Sequence, residues 1–168
     1  MPKNCQLGPV LSYGSEGTVH SGTWRGTPVA IKVFLNHYAR RAETEMKLVS
    51  TLNHINIIKY FDLEHEQAIA YLVMEYITGG NLYAFIQNNF TSSTYWSIIC
   101  QILADVARGM VYLHDRGVVQ GDLKSHNILL RDGTLQAVIC DFGISRCLRD
   151  DAQVKKRYGS AKGTVVYL

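Results

Sequence analysis

The sequence predicts an α+β fold in which strands and helices are segregated to opposite halves of the chain. Three observations carry that reading. The first half holds runs rich in β-branched and aromatic residues, "TVHSGTW", "TPVAIKVF" and "AIAYLVMEY". The second half holds "SIICQILADVARGMVYLH", in which apolar residues recur at spacings of three and four, the mark of a long and largely buried helix. Between them, Thr78-Gly79-Gly80-Asn81 is a break and a natural hinge.

The elements follow in order. Arg25-Gly26 separates the first two strand runs and suits a hairpin turn. One helix interrupts the strands: "RRAETEMKLVSTL" places Ala42, Met46 and Val49 on one face. The long helix of the second half ends at Gly117. Short strands are expected around Ile128–Leu130 and Ala137–Ile139, with Asp132-Gly133 as the turn between them. The final stretch, ending in "GTVVYL", reads as loop with no closing helix.

Composition bounds the function. The 168 residues suffice for one domain with a sizeable core, and 47% hydrophobic with 18% charged residues is a globular balance. The net charge of +3 is mild. The basic residues are scattered, with only Lys155-Lys156-Arg157 as a run, so nothing argues for a nucleic-acid partner. No run of 18 or more apolar residues occurs, so no membrane span is expected, and the first residues carry no long apolar segment of a secretory signal. The four cysteines lie far apart without CxxC spacing, which suits free thiols in a reducing cytoplasm.

Four short stretches carry the chemistry. "LSYGSEGTVHSG" brings Gly14 and Gly17 ahead of Val19. Glycines admit close approach of backbone N–H groups to phosphate oxygens, though an ordinary hairpin turn would look similar. The loop lies between two strands, which excludes the strand–loop–helix of a dinucleotide fold, and no Gly-Lys-Ser/Thr ending marks a Walker A loop. "VAIKVF" sets Lys32 in an apolar strand, facing either solvent or a phosphate. A phosphate-facing lysine needs a carboxylate to hold it. Glu45 on the predicted helix is one candidate and Glu43, on a different face, is its rival. "VVQGDLKSHNILL" clusters Asp122, Lys124 and Asn127 between apolar runs, as a loop presenting polar groups to a reaction centre would. "CDFGISR" places Asp141 after an apolar strand, as a strand-ending turn or as a hard oxygen ligand for Mg²⁺.

Taken in one order, "GSEGTV", "VAIK", the helix glutamate, "DLKSHN" and "DFG" resemble the eukaryotic protein kinase family over nearly the whole chain. The lysine in "DLKSHN" resembles the serine/threonine type, and "DVARGMVYLH" with "DLKSHNILL" looks most like its tyrosine-kinase-like branch. The resemblance implies a two-lobed protein kinase fold: an antiparallel-sheet N-terminal lobe over 1–76 and a helical C-terminal lobe from 77. It implies ATP and Mg²⁺ in the cleft between them, with a protein substrate. Leu11, Gly14, Ser15 and Gly17 would cover the nucleotide, with Val19 and Ala30 above the adenine and Leu129 below it. Met74 would stand at the back, and the backbones of Glu75 and Ile77 would bond the adenine. Lys32, paired with Glu45, would meet the α- and β-phosphates. Asp122 would orient the substrate hydroxyl, Lys124 would steady the moving phosphate, and Asn127 and Asp141 would hold Mg²⁺.

Departures from the family pattern qualify these implications. Ser12 stands at the first glycine of the loop. Gln120 and Gly121 stand where the family has histidine, which packs under the Asp-Phe-Gly turn, and arginine, which clamps a phosphorylated activation loop. Catalysis is therefore expected not to depend on that clamp. Gly121 is expected to loosen the loop by about 0.5–1 kcal/mol. The alternative is a nucleotide-binding module without transfer activity. "GTVVYL" resembles the segment just before the Ala-Pro-Glu signature, so the reading is of a C-terminal lobe incomplete at residue 168. Ile98, Ile102 and Val106 of the long helix are then expected to stay exposed. Tyr158, Ser160 and Thr164 are candidate phosphorylation sites.

Overall fold

The computed structural model describes residues 4–35, 38–89 and 95–147. The expectations placed on 148–168, including "GTVVYL" and the three candidate phosphorylation sites, lie outside those residues. The N-terminal half is a five-stranded sheet of β1 (Cys5–Gly14), β2 (Gly17–Trp24), β3 (Thr27–Phe34), β4 (Tyr60–Glu66) and β5 (Ile69–Glu75). Its order is β1-β2-β3-β5-β4 and every pairing is antiparallel. The Arg25-Gly26 turn appears as expected, with positive φ at both residues (51° and 79°), the type I′ geometry that matches strand twist.

Period-two alternation on β3 decides where its lysine points. Val29 and Ile31 are buried on one face with Cys5, Tyr71 and Val73. Ala30 and Phe34 are buried on the other, and Lys32 lies between them with its Nζ 4.7 Å from the centre of the Phe34 ring. That second face carries helix α1 (Ala39–Val49), which buries Ala42, Glu45 and Val49. Of its predicted apolar face, Ala42 and Val49 are buried and Met46 is partly buried beside Phe34 and Leu72.

The second half contains α2 (Leu82–Asn89), α3 (Tyr95–Asp115), β6 (Val118–Val119), β7 (Ile128–Leu130), β8 (Ala137–Ile139) and β9 (Arg146–Cys147). β6 pairs with β9 and β7 with β8, both antiparallel. The β7 and β8 bounds are those expected from sequence. β1, β4 and α2 were not singled out there, and β9 falls in a stretch expected to be loop. Asn81 starts α2: its Oδ1 accepts the Ala84 amide hydrogen at 2.8 Å, capping an otherwise orphaned donor.

The core joins both halves. Ile57, Ile58, Ile102, Val106, Leu113, Leu130 and Ile139 belong to one buried cluster, each contributing about 1.5–3 kcal/mol by burial. The Ile58 amide donates to the Ile139 carbonyl and the Ile139 amide to the Asn56 carbonyl, both at 2.9 Å. These bonds lock the segment after α1 onto β8.

Ile102 and Val106 are thus buried, contrary to expectation, because α3 turns them onto β8; Ile98 is half-buried. The exposed large apolar residues of α3 are Trp96, Leu103 and Val111 on a neighbouring face. The 21 residues of α3, with a most apolar window of mean hydropathy 1.3, are long and apolar enough to cross a membrane by length and composition. The buried Asp105 on the same helix has a structural partner: its Oδ2 accepts the Ala137 amide hydrogen at 2.9 Å, and its Oδ1 pairs with Arg108. Replacing Asp105 by alanine orphans the Ala137 amide inside the core. A urea unfolding curve is expected to show a loss of about 1–3 kcal/mol; a loss below about 0.5 kcal/mol would remove this bond from the account of the fold.

Candidate active site

A cleft of about 870 Å³ lies between the sheet and the helical half, and every residue to which the resemblance assigned a nucleotide, metal or transfer role lines it. Leu11, Gly14, Ser15, Gly17 and Val19 come from β1, β2 and their turn. Ala30 and Lys32 come from β3 and Glu45 from α1. Met74 and Glu75 end β5, and Ile77 follows. Asp122, Lys124 and Asn127 come from the segment between β6 and β7, Leu129 from β7, and Asp141 follows β8. Close packing forces glycine at position 17: a Cβ there would stand 1.9 Å from the Val33 carbonyl oxygen.

Lys32 is the electrostatic centre. Its Nζ lies 3.1 Å from Glu45 Oε2 and 3.0 Å from Asp141 Oδ1. Burial pulls the ammonium's pKa down, but Glu45 and Asp141 outweigh burial and hold it above the ordinary lysine value. Glu45 is the buried partner, and Glu43 faces outward toward His65 at 3.9 Å. The structure therefore decides between the two helix glutamates. Glu45 is itself tied down by the Tyr60 hydroxyl and by the Phe142 amide at 3.3 Å. Burial, then Glu45, pushes the Tyr60 phenol well above its usual value, so it remains a donor.

On the opposite wall, Asp122 Oδ2 accepts from Lys124 Nζ at 2.6 Å and from Asn127 Nδ2 at 3.0 Å. The same Asn127 amide donates to the Asp122 carbonyl at 2.9 Å. The hydrogen bond to Asp122 raises the Lys124 pKa. Asp122, Lys124 and Asn127 of "DLKSHN" are thus one bonded cluster.

Gln120 is fully buried beneath this cluster. Its Nε2 donates to the Asp141 carbonyl at 2.9 Å and, more weakly, to the Cys140 carbonyl at 3.5 Å. Its Oε1 accepts the Asp122 amide hydrogen at 2.7 Å. One neutral side chain therefore ties the backbone of Asp122 to that of Asp141. Gly121 has φ of +84°, a left-handed conformation that side chains adopt only under strain. The expected loosening of the loop is therefore corrected, because glycine is the residue this conformation favours.

Mg²⁺ takes oxygen donors, usually one or two carboxylates plus phosphate oxygens. Asp141 and Asn127 fit that donor chemistry. Among the described residues no group of three or more His, Cys, Asp or Glu forms a ready cage. Sequence reasoning missed Glu16, Tyr60, Arg131 and Ser145. Arg131 crosses the hinge to Glu75 at 2.6 Å, and Ser145 donates to the Gln120 carbonyl at 2.6 Å. No local pattern marks Tyr60, Arg131 or Ser145, since each is paired by the fold. Glu16 could have been found, because it lies inside the quoted glycine loop.

This fold and this cleft are those of a protein kinase domain. A family model described as protein tyrosine and serine/threonine kinase matches residues 5–166, and the chain belongs to that family. It is 32% identical over 166 residues to the Dictyostelium discoideum protein named probable serine/threonine-protein kinase gdt2, covering 94% of this chain and 10% of that protein. It is 35% identical over 167 residues to an Arabidopsis thaliana protein named as a leucine-rich repeat receptor-like serine/threonine-protein kinase, covering 95% and 19%. A protein of Acanthamoeba polyphaga mimivirus, named as a serine/threonine-protein kinase/receptor, is 30% identical over 151 residues, covering 86% and 9%. The chain thus spans between about a tenth and a fifth of the length of these relatives.

Two predictions follow from the geometry. Gln120→Leu leaves the Asp122 amide and the Asp141 carbonyl without their partner, and chemical denaturation should show a loss of about 1–3 kcal/mol; an unchanged midpoint would mean the amide ties nothing. Burial, then Asp141, pushes the Cys140 thiol from 9.0 up to about 12. The folded chain keeps that proton where the unfolded chain loses it, so this contribution to stability is whole below pH 9 and falls as pH rises toward 12. At pH 8, mass mapping after iodoacetamide treatment should find the exposed Cys100 labelled well before the half-buried Cys140; equal labelling would contradict the protonated state of the Cys140 thiol.

Proposed function

We propose that this chain is an ATP-dependent serine/threonine protein kinase domain, moving the γ-phosphoryl group of ATP to a hydroxyl of a protein substrate. The observation that carries it is the pairing across one cleft of the Lys32–Glu45–Asp141 cluster with the Asp122–Lys124–Asn127 cluster. The division into lobes near residues 76 and 77 belongs to the same proposal, since Glu75 to Thr78 line the cleft between the sheet and the helical half.

In this reading Leu11, Val19, Ala30 and Leu129 enclose the adenine, with Met74 behind it and the backbones of Glu75 and Ile77 bonding its edge. Gly14, Ser15 and Gly17 cover the phosphates. Lys32, held by Glu45, contacts the α- and β-phosphates. Asn127 and Asp141 would hold Mg²⁺, which neutralises phosphate charge when bound. Asp122 orients the attacking hydroxyl and takes its proton as the new P–O bond forms and the β–γ bridge breaks. Lys124 then faces the charge carried by the moving phosphoryl group. Such chemistry depends mostly on positioning and charge neutralisation, which suits two clusters fixed by hydrogen bonds.

Thermal melts with and without MgATP test the first half of this proposal. At a hundredfold excess over its dissociation constant the nucleotide should stabilise the chain by about 2.7 kcal/mol, and Lys32→Met should lose most of that gain. A transfer assay tests the second half. Asp122→Asn should keep the melting shift and lose at least about a hundredfold in rate. A chain with no nucleotide response sinks the proposal. A nucleotide response with no transfer would leave a nucleotide-binding module.

A further inference from the structure

Glu16 stands in the two-residue turn between β1 and β2, at the tip of the glycine loop. Its carboxylate does not face solvent: the side chain is only 13% exposed. Its Oε2 lies 3.8 Å from Lys32 Nζ, and its Oε1 accepts from Arg41 of α1. The same Oε2 would be 3.1 Å from a Cβ on Gly143, so it reaches over the turn that follows Asp141. Its carbonyl accepts the Leu35 amide hydrogen at 3.3 Å, which fixes the turn against the end of β3.

Lys32 therefore meets three carboxylates, at 3.1 Å (Glu45), 3.0 Å (Asp141) and 3.8 Å (Glu16). Glu45 belongs to the buried wall and Asp141 to the turn after β8, and both have places in the proposed chemistry. Glu16 has none. It is an anion at the tip of the loop that would cover anionic phosphates, already resting on the cation those phosphates require. Like charges a few ångströms apart in a half-buried cleft repel strongly. A phosphate can approach Lys32 closely only if the Glu16 carboxylate leaves.

We propose that Glu16 is an internal competitor for the nucleotide's phosphates, holding Lys32 and Arg41 in the place a phosphate would take and so setting how strongly the cleft discriminates by phosphate charge. The inference rests on the nucleotide reading above. A ligand shifts such an equilibrium only by its differential interaction with the two arrangements. Adenosine, which has no phosphate, leaves Glu16 in place and gains nothing from its removal. ATP and ADP must displace it.

Calorimetric titration of the 168-residue chain and its Glu16→Gln variant with MgATP, MgADP and adenosine tests this. Glutamine keeps the shape and removes the charge. The expected result is tightening for MgATP and MgADP of roughly fivefold or more, with adenosine unchanged. Glu16→Ala, melted first to confirm cooperative folding, should tighten both phosphorylated ligands in the same direction, so the test does not hang on one variant. MgATP affinity that is unchanged or weakened overturns the internal competitor and leaves the nucleotide site standing. Equal tightening for adenosine also overturns it, since a loosened loop would then be the cause. Absence of binding by all three ligands in both forms overturns the nucleotide reading itself, and this inference with it.

Discussion

The Lys32 ammonium is the interaction on which the cleft depends. It is contributed by a strand, met by a helix carboxylate and by a carboxylate beyond β8, so it bridges elements that share no local sequence. Burial alone would lower its pKa; the neighbouring carboxylates reverse the sign of the shift. The arrangement is costly to break from either side, because removing one partner leaves the other charged and half-buried. The sheet and the helical half are thereby brought to one place by electrostatics as well as by the shared apolar core.

A second constraint works without charge. Gln120 spans two loops with both ends of its amide, and Ser145 closes onto its carbonyl. A neutral amide gives both donor and acceptor in one fixed orientation, whatever the pH. The loop holding Asp122 and the turn holding Asp141 are therefore connected by bonds that do not titrate. Gly121 completes this, since its left-handed backbone turns the chain toward Asp122 without strain.

Much of this was legible in the sequence, and the physical reason differs by element. β3 and β5 were visible because their runs are rich in β-branched and aromatic residues, and α3 because burial of one face imposes a period of 3.6. β4 and α2 were not, since "YFDLEHE" is a mixed, half-buried edge strand and α2 is a short helix marked chiefly by the Asn81 cap. The lysine, the two aspartates and the asparagine were found because motif spacing fixes them. Glu45 was one of two candidates until the helix phase turned Glu43 outward. The exposed face of α3 was misjudged: Ile102 and Val106 face β8, and the helix turns Trp96, Leu103 and Val111 outward instead. Apolar residues all round a helix do not announce which of them meets the sheet. Tyr60 and Arg131 carry no local signal, because their partners lie 15 and 56 residues away.

The two polar systems of the cleft differ in what can perturb them. The Gln120 side chain is neutral and fully buried, so a change of pH does not alter the bonds it makes. The Lys32 cluster is charged and open on the side of the glycine loop, where Glu16 supplies its third carboxylate. In the proposed reading a phosphate would meet charged partners on both walls, Lys32 on one and Lys124 on the other, while the Gln120 bonds between Asp122 and Asp141 run through uncharged backbone groups. Arg41 extends the Lys32 cluster to α1, because the same Glu16 carboxylate touches both cations. Moving one side chain at the loop tip changes the charge felt by the strand lysine and by the helix that carries Glu45 together. In this cleft, then, a neutral buried amide links the backbones of Asp122 and Asp141, and one loop-tip carboxylate links the cations of β3 and α1.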